Sequence, residues 1–476
     1  MSSDAASELI RHARSARVVV VGGGVAGLVA ALECAKVGMQ VTLLERSDRL
    51  GGLVASAELD GRMVDVAADG WRVAPGDFED LIDELGLRER VVGARAGDTW
   101  VAGSFGTALL PEASILGIPA SPFDARVARI IGWSGVWRAY LDRLRPPLTI
   151  GAERNLGALT SGRMGRRVLE RMVAPLTWGI HSVPPERVDV DRAARGLNAA
   201  LTRTGSLSGA VAQQLPDDRS APPARATLEG GMSELIDAVS GRLADLEVEV
   251  RTGVDVTAID RRVAGFAVEA TGLDPDAGGE PVEADAVIVA TPEPAARRLL
   301  APLLADAGGP RLSPADLDVV TLVLDAPALD ARPRGHAVYA VPDTAAATAV
   351  IHATATWPHT AGDPHVVRVT TPARGGSDAE VIAASTDAAT ELLGGDIGRV
   401  TAVHRATWTP ALPSSALSPE RDELRVALRR DPRIGVTGAW IDGTGITRVA
   451  ADAKTEAERV RSALLWGGSA GDSASA

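Results

Sequence analysis

The stretch from Val18 to Gly27 restricts the fold more than any other part of the chain. Four continuous β-branched residues, Val18 to Val21, run straight into Gly22-Gly23-Gly24-Val25-Ala26-Gly27. An uninterrupted apolar run fits a strand covered on both faces of a parallel sheet. Each glycine of the following G-x-G-x-x-G then has a physical role: Gly22 permits the tight turn, Gly24 lets backbone approach a pyrophosphate, and Gly27 lets the helix pack on the strand. Val25 and Ala26 fall in the first helical turn, whose free N–H groups and positive dipole end face the phosphates. The helix continues through Leu28, Ala31, Leu32 and Ala35 and is expected to stop near Gly38. Gln40 to Leu44 reads as a second strand closed by Glu45, 23 residues after Gly22. A carboxylate there accepts from a ribose 2′-OH and repels a 2′-phosphate. Strand, glycine turn, helix, strand and acid in this order predict a dinucleotide site.

Composition narrows the surroundings of that site. The 476 residues suggest about three domains at roughly 150 each, and 46% hydrophobic with 23% charged residues excludes a wholly disordered or collagen-like chain. A net charge of -13 argues against nucleic-acid binding. The single cysteine, Cys34, excludes an intrachain disulfide and a cysteine-rich metal site. That fits a reducing cytoplasm, and Cys34 itself reads as helix packing. Arg11, Arg14 and Arg17 before an apolar stretch resemble a leader, but Asp4 and Glu8 and the glycine turn oppose it. The 15 apolar residues Val18 to Leu32 also fall short of the roughly 20 needed to span a bilayer. The expectation is a soluble cytoplasmic chain without a transmembrane segment or cleaved leader. Residues 1 to 15 read as an amphipathic extension, and Gly467 to Ala476 as a disordered tail.

Arg46 follows the acid, and Arg49-Leu50-Gly51-Gly52 then places an arginine and two glycines where a short turn approaches phosphates closely. This R-x-G-G resembles the second signature of the FAD-binding amine oxidase and protoporphyrinogen oxidase superfamily, which implies FAD as cofactor. The resemblance continues along the chain. Asp65 to Trp71, containing Asp69, corresponds to the segment beside the isoalloxazine ring. Val248 to Ile259 resembles the strand pair in which Val256 meets the adenine end, and Ala284 to Thr291 resembles the strand returning to the sheet. Ile434 to Trp440, with Gly438, and then Gly443-Thr444-Gly445-Ile446 resemble the turn and helix at the pyrophosphate and flavin pyrimidine edge. A helix N-terminus there stabilises negative charge on the reduced ring. Trp408 resembles the superfamily's ring near the flavin.

The implied fold class is α/β: a Rossmann-like FAD-binding domain of the GR2 type with an inserted substrate domain of mixed sheet plus helices. Its segments are expected at 16 to 90, 226 to 310 and 401 to 466. A mostly helical entrance domain is expected over 91 to 225, with Trp133, Trp137, Leu141 and Leu144 on one helical face. A substrate sheet is expected over 311 to 400, from Asp316 to Leu324, His336 to Val341, Ala349 to Thr354 and Val366 to Thr371. Pro216 to Pro223 reads as an exposed linker.

Within the superfamily the middle of the chain looks like the soluble porphyrinogen oxidases of Gram-positive bacteria. The carriers are Leu109-Leu110-Pro111, Leu116 to Pro119, Leu156-Gly157-Ala158, Arg171 to Leu176, Gly179-Ile180-His181 and Gly205-Ser206-Leu207. This implies a six-electron oxidation of coproporphyrinogen III, or of protoporphyrinogen IX, with O2 as acceptor and H2O2 released. The cofactor carries the hard chemistry, and no catalytic side chain is assigned. Arg72 and Arg448 are the candidate contacts to substrate propionates, since guanidinium pairs bidentately with carboxylate. His181 reads as a packing residue near the pocket, and no metal-ligand spacing appears among the other histidines.

Thr107 to Pro122 is apolar and leaves peripheral membrane contact open, and the sequence assigns no oligomeric state. The alternatives are another flavin amine oxidase, a desaturase of secondary metabolism, or a non-catalytic flavin-binding paralogue. A typical amine oxidase places a lysine on a substrate strand, whereas the two lysines here, Lys36 and Lys454, fall in the first and last helices. The paralogue is suggested by Ala67, which stands where relatives carry a glycine against the ring.

Overall fold

The computed structural model describes residues 3–95, 97–145, 153–215, 225–272, 280–303, 316–360, 364–409 and 419–466. Five short strands form a parallel sheet in the order Glu249–Arg251, Gln40–Leu44, Arg17–Val21, Ala286–Val289, Ile434–Val436. Val21 stands opposite Leu44 and Val289, and Val289 opposite Val436, so four strand ends finish level. Val18 to Val21 are each at most 3% exposed. Val18 and Val20 face a core shared with the Val25–Ala35 and Ile446–Trp466 helices, while Val19 and Val21 face a second core containing Phe266 and Trp440. The uninterrupted valine run therefore has the physical cause inferred for it: both faces are covered.

A seven-stranded sheet lies in the other half. Its order is Arg399–Trp408, Leu317–Asp325, His365–Pro372, Ala349–His352, Ala337–Ala340, Thr99–Gly103, Gly106–Leu109. The four stretches expected as substrate strands are its centre. Two further strands come from the interval expected to be mostly helical, Thr99–Gly103 joining in parallel to Ala337–Ala340. Residue 401 does not open a segment of the cofactor domain. Arg399–Trp408 pairs antiparallel with Leu317–Asp325 along its whole length, and the chain leaves this sheet only after Trp408.

The helical unit packs around Ile130, Ile131, Val136, Leu156, Val168 and Met172. The aromatic stripe expected on one helical face does not join it. The Ala125–Tyr140 helix is kinked at Gly132, φ 69°, and turns Val127, Ile130, Ile131, Val136 and Ala139 inward. Trp133, Trp137 and Leu144 are 64%, 58% and 74% exposed. Phe123, Trp137 and Tyr140 form a surface cluster with ring centroids 5.1 to 6.0 Å apart. Conversely, Leu110 and Ile118 of the Thr107 to Pro122 segment are buried, so that segment's apolar character belongs to packing.

The N-terminal extension forms the helix Ser3–Ser15, and His12 Nε2 hydrogen-bonds with the Leu464 carbonyl of the last helix at 2.8 Å. Cys34 is fully buried, and burial pushes its thiol up to about 12. Among the described residues no helix is long and apolar enough to cross a membrane. Pro216 to Pro223 and Gly467 to Ala476 lie outside the described residues.

One histidine pair makes the seven-stranded sheet pH-sensitive. His352 Nε2 lies 3.1 Å from His365 Nδ1, and His365 Nε2 faces Asp330 Oδ1 at 3.2 Å. Burial, then the adjacent His365 and His336, push the His352 imidazole down to about 3. The folded protein holds this base neutral where the unfolded chain protonates it, so stability is present above the ordinary histidine range and falls as pH drops through it. The expected loss is about 1.4 kcal/mol per pH unit below about 6.5. His352→Gln removes this contribution. The variant's melting temperature should fall less steeply than the wild type's from pH 6.5 to 4.5, which differential scanning fluorimetry checks; equal slopes would refute it.

Candidate cofactor and substrate site

The glycine turn is closed by contacts that only glycine allows. A Cβ on Gly27 would stand 1.8 Å from the Gly22 carbonyl oxygen, and Gly22 itself adopts φ +106° beside the Ala290 carbonyl. Glu45 stands at the end of the neighbouring strand and accepts from the Gly23 N–H at 2.6 Å and from the Ser47 N–H at 2.8 Å. The same carboxylate that suits a ribose thus also braces the turn that suits its phosphates. The R-x-G-G turn docks on this one: the Gly51 N–H donates to the Gly23 carbonyl at 2.8 Å, and Gly24 bridges Gly51. A Cβ on Gly52 would lie 3.2 Å from Gly24 Cα. Arg49 donates to the Gly52 carbonyl at 3.1 Å, and Arg46 is exposed beside it. Val256 is buried in a strand reached through Val254, whose N–H donates to the Glu45 carbonyl at 2.9 Å.

The third strand end completes the cradle. Thr437 N–H donates to the Val289 carbonyl, Gly438 turns the chain, and after Gly443 and Gly445 the helix Ile446–Trp466 begins. It runs back along the Val25–Ala35 helix, which brings two helix N-termini to the same carboxyl edge of the sheet. Thr437 Oγ1 bonds Asp452 at 2.7 Å and the Val436 N–H bonds Glu456 at 3.0 Å, tying strand end to helix. Thr291, at the end of the adjacent strand, was not among the residues expected here. Its Cγ2 lies beside Gly22, Trp440 Nε1 donates to its carbonyl at 3.1 Å, and its hydroxyl is buried without a partner. An open glycine cradle, two helix N-termini and an orphaned hydroxyl fit a dinucleotide's phosphates.

Asp69 sits where the two halves meet. Arg368, from the seven-stranded sheet, donates to its carboxylate and to the Ala67 carbonyl. Arg225 Nη2 reaches Asp69 Oδ1 at 3.2 Å, Trp357 Nε1 reaches Oδ2 at 3.4 Å, and Arg225 lies 5.4 Å over the Trp357 ring. Burial would raise the Asp69 carboxyl, but Arg368 and Arg225 outweigh it and hold it below the usual carboxylate range. Sequence reasoning picked out Asp69 and missed its three partners, which lie 156 to 299 residues away. Trp408 packs with Val66, Ala67 and Val323 in one small cluster, and its Nε1 is buried without a partner.

Of the arginines expected at substrate, Arg72 is exposed on a two-residue strand opposite Arg225. Arg448 is half-buried in the first turn of the last helix. Burial and then Arg448 hold the His181 imidazole below its ordinary range, which places His181 within electrostatic reach of that guanidinium. His181 Nδ1 is buried without a partner. Two residues before it, a Cβ on Gly179 would stand 2.2 Å from the Tyr339 ring, so this helix end rests directly on the seven-stranded sheet. Both lysines are tied down elsewhere: Lys36 pairs with Glu33 at 2.6 Å and with Glu84, and Lys454 pairs with Asp77 at 2.7 Å.

The flavin containing amine oxidoreductase family matches residues 25–461 of the chain. The coproporphyrinogen III oxidase of Mycobacterium tuberculosis is 27% identical over 446 residues, covering 90% of this chain and 93% of that protein. That of Bacillus subtilis is 26% identical over 60% of this chain and 62% of its own length. Among solved structures, a putative protoporphyrinogen oxidase from Exiguobacterium superposes with a TM-score of 0.80 at 24% identity, over 94% of this chain and 99% of that one. A reduced UDP-galactopyranose mutase superposes at 0.66 with 15% identity, over 95% and 94%.

The glycines separate folding from ligand binding. A Cβ on Gly24 meets only Gly52 Cα at 3.9 Å, and one on Gly445 only Thr447 Oγ1 at 4.0 Å, so the protein alone has room for both. Gly24→Asp and Gly445→Asp are expected to fold and melt near the wild type but to lose bound flavin, by bulk and charge against the phosphates. Gly27→Ala is expected not to fold. Absorbance of bound flavin against protein content, alongside circular dichroism, checks both; yellow protein from either Asp variant would refute the site.

Proposed function

The chain belongs to the flavin containing amine oxidoreductase family, and we propose that it is an FAD-dependent porphyrinogen oxidase of haem biosynthesis, oxidising coproporphyrinogen III to coproporphyrin III or, as second choice, protoporphyrinogen IX to protoporphyrin IX. The observation that carries this reading is the similarity to coproporphyrinogen III oxidases along 90% of the chain. The positions of the two lysines support it against a typical amine oxidase. Each is paired with carboxylates in the cofactor half, and the substrate sheet carries none.

On this reading Glu45 accepts from the adenosine ribose and Val256 lies at the adenine end. The turns at Gly22 to Gly27 and Arg49 to Gly52 and the helix beginning at Ile446 hold the pyrophosphate, and Asp69 and Trp408 belong to the ring end. FAD, when bound, supplies the hydride acceptor for a methylene bridge and passes electrons to O2, which leaves as H2O2. The protein's own work is to hold one bridge of the macrocycle in register and shut water out. Arg448, with His181 beside it, and Arg72 are the groups proposed for propionates. Location in the cytoplasm is part of the proposal.

We propose that peripheral membrane contact runs through the exposed Trp133, Trp137 and Leu144 stripe with Arg129, Arg143 and Arg145 around it, and not through Thr107 to Pro122. Cosedimentation with anionic vesicles, lost in Trp133→Ser/Trp137→Ser, is the expected result; wild type remaining in the supernatant would refute it.

The deciding experiment gives FAD-reconstituted protein coproporphyrinogen III and protoporphyrinogen IX side by side in air, with spontaneous oxidation subtracted. Porphyrin fluorescence with about three H2O2 per ring, one per two-electron cycle, is expected. Bound FAD with neither substrate oxidised would point instead to an oxidase or desaturase of secondary metabolism. Protein unable to bind FAD would be a non-catalytic paralogue.

A further inference from the structure

We propose that Arg368 is a positioning residue for the flavin ring: a guanidinium lent by the substrate sheet that sets the backbone turn against which the ring rests. The inference rests on the flavin site proposed above and on residues 65–71 as its ring-side segment. Arg368 is 6% exposed and lies in the middle of the His365–Pro372 strand, paired with Thr321 and Ile351 on either side. Its strand holds it from both neighbours, so its fork is a fixed reference.

From there one nitrogen donates to the Ala67 carbonyl and the other to Asp69. The N–H of the same Ala67–Ala68 peptide donates to the Leu53 carbonyl at 3.0 Å, so that peptide is held at both ends. Gly70, next in the turn, is closed in by the Ala226 carbonyl and the Trp357 ring, at 2.4 and 2.7 Å from where a Cβ would sit. A substrate-domain residue thus determines which way the Ala67 peptide faces. This answers how an alanine is accommodated where a glycine would turn freely: its peptide is clamped from the other domain. A planar fork that bonds a carbonyl and a carboxylate together is a task for arginine and not for lysine. The knot sets the buried Arg368 and the more exposed Arg225 against Asp69, with Asp65 also within electrostatic reach of Arg368, so removing the Arg368 charge makes the surroundings of the ring more negative.

The test uses the FAD-loaded holoenzyme. Arg368→Lys keeps the charge and loses the fork, and Arg368→Gln loses both. Both are expected to retain FAD but to show an altered visible flavin spectrum. Flavin reduction by substrate should slow on the order of a hundredfold, the cost of misplacement near 1 Å, with KM little changed. The flavin reduction potential should fall in Arg368→Gln and stay near wild type in Arg368→Lys. Arg405→Gln is the control. It removes another arginine–aspartate pair of the same sheet, from the half-buried Arg405 to the buried Asp318 at 3.0 Å and to the exposed Asp378 at 2.6 Å, and is expected to lower the melting temperature without moving spectrum or potential. If neither Arg368 variant folds, Trp357→Phe, which removes one donor to Asp69, should shift the spectrum in the same direction. Spectra, potentials and reduction rates that match wild type, or that shift no more than in Arg405→Gln, would overturn the inference and leave the flavin reading intact. An unshifted Trp357→Phe would do the same. Wild-type protein that binds no FAD would remove the flavin reading itself.

Discussion

A helix can leave the end of a buried strand and still lie flat on its sheet only if its first turn comes closer to the strand exit than a side chain permits. Here that closeness is the space of 1.8 Å between the Gly22 carbonyl and the place a Gly27 Cβ would take. Everything at the carboxyl edge is measured from it. It seats the Val25–Ala35 helix, and against that helix lies the last helix, whose own N-terminus is thereby brought to the same edge. It also leaves the Gly23 N–H pointing at Glu45 and the Gly23 carbonyl at Gly51, so both accessory turns hang from one glycine's peptide groups. The cradle is therefore made of backbone, which explains why its side chains are mostly absent.

That half of the molecule was legible because its determinants are local. A valine run, a glycine spacing and an acid fall within Val18 to Glu45, and each has one physical use. Four strands of the seven-stranded sheet were legible too, from alternation and apolar runs. What could not be read was anything whose cause lies far along the chain. Asp69 was visible as a residue, but nothing near it predicts Arg225, Trp357 or Arg368 as its partners. The stripe from Trp133 to Leu144 shows the converse. Helical periodicity identifies an apolar face, yet the kink at Gly132 gives the core to the opposite row, Val127, Ile130, Ile131, Val136 and Ala139. The strand Arg399–Trp408 was misallotted because its partner Leu317–Asp325 lies about eighty residues away, and the boundary expected at 401 falls inside it, seven residues before the pairing ends.

The junction between the halves is polar in its centre, an expensive choice. Burying the Asp69 carboxylate and the Arg368 guanidinium costs several kcal/mol per ion before their attraction repays it. An apolar contact would join the two halves more cheaply, so the arrangement's value lies in geometry. Asp69, Arg368 and Arg225 leave few ways to arrange residues 65–71, whereas a greasy contact would let that turn slide.

Three carboxylates of the proposed cofactor site are spent on structure. Asp69 is held by two arginines, Asp65 accepts from Ser56 Oγ at 2.7 Å and the Met232 N–H at 3.0 Å, and Glu45 braces the glycine turn. Burial raises the Asp65 carboxyl while its donors and Arg368 oppose that rise, yet both its oxygens remain engaged. A site so furnished offers a substrate no free carboxylate among these three to act as base. On the proposed reading, orienting the substrate then falls to pocket shape and to the arginines proposed to meet its carboxylates. The near-absence of lysine in favour of arginine makes that contact planar and bidentate wherever it forms.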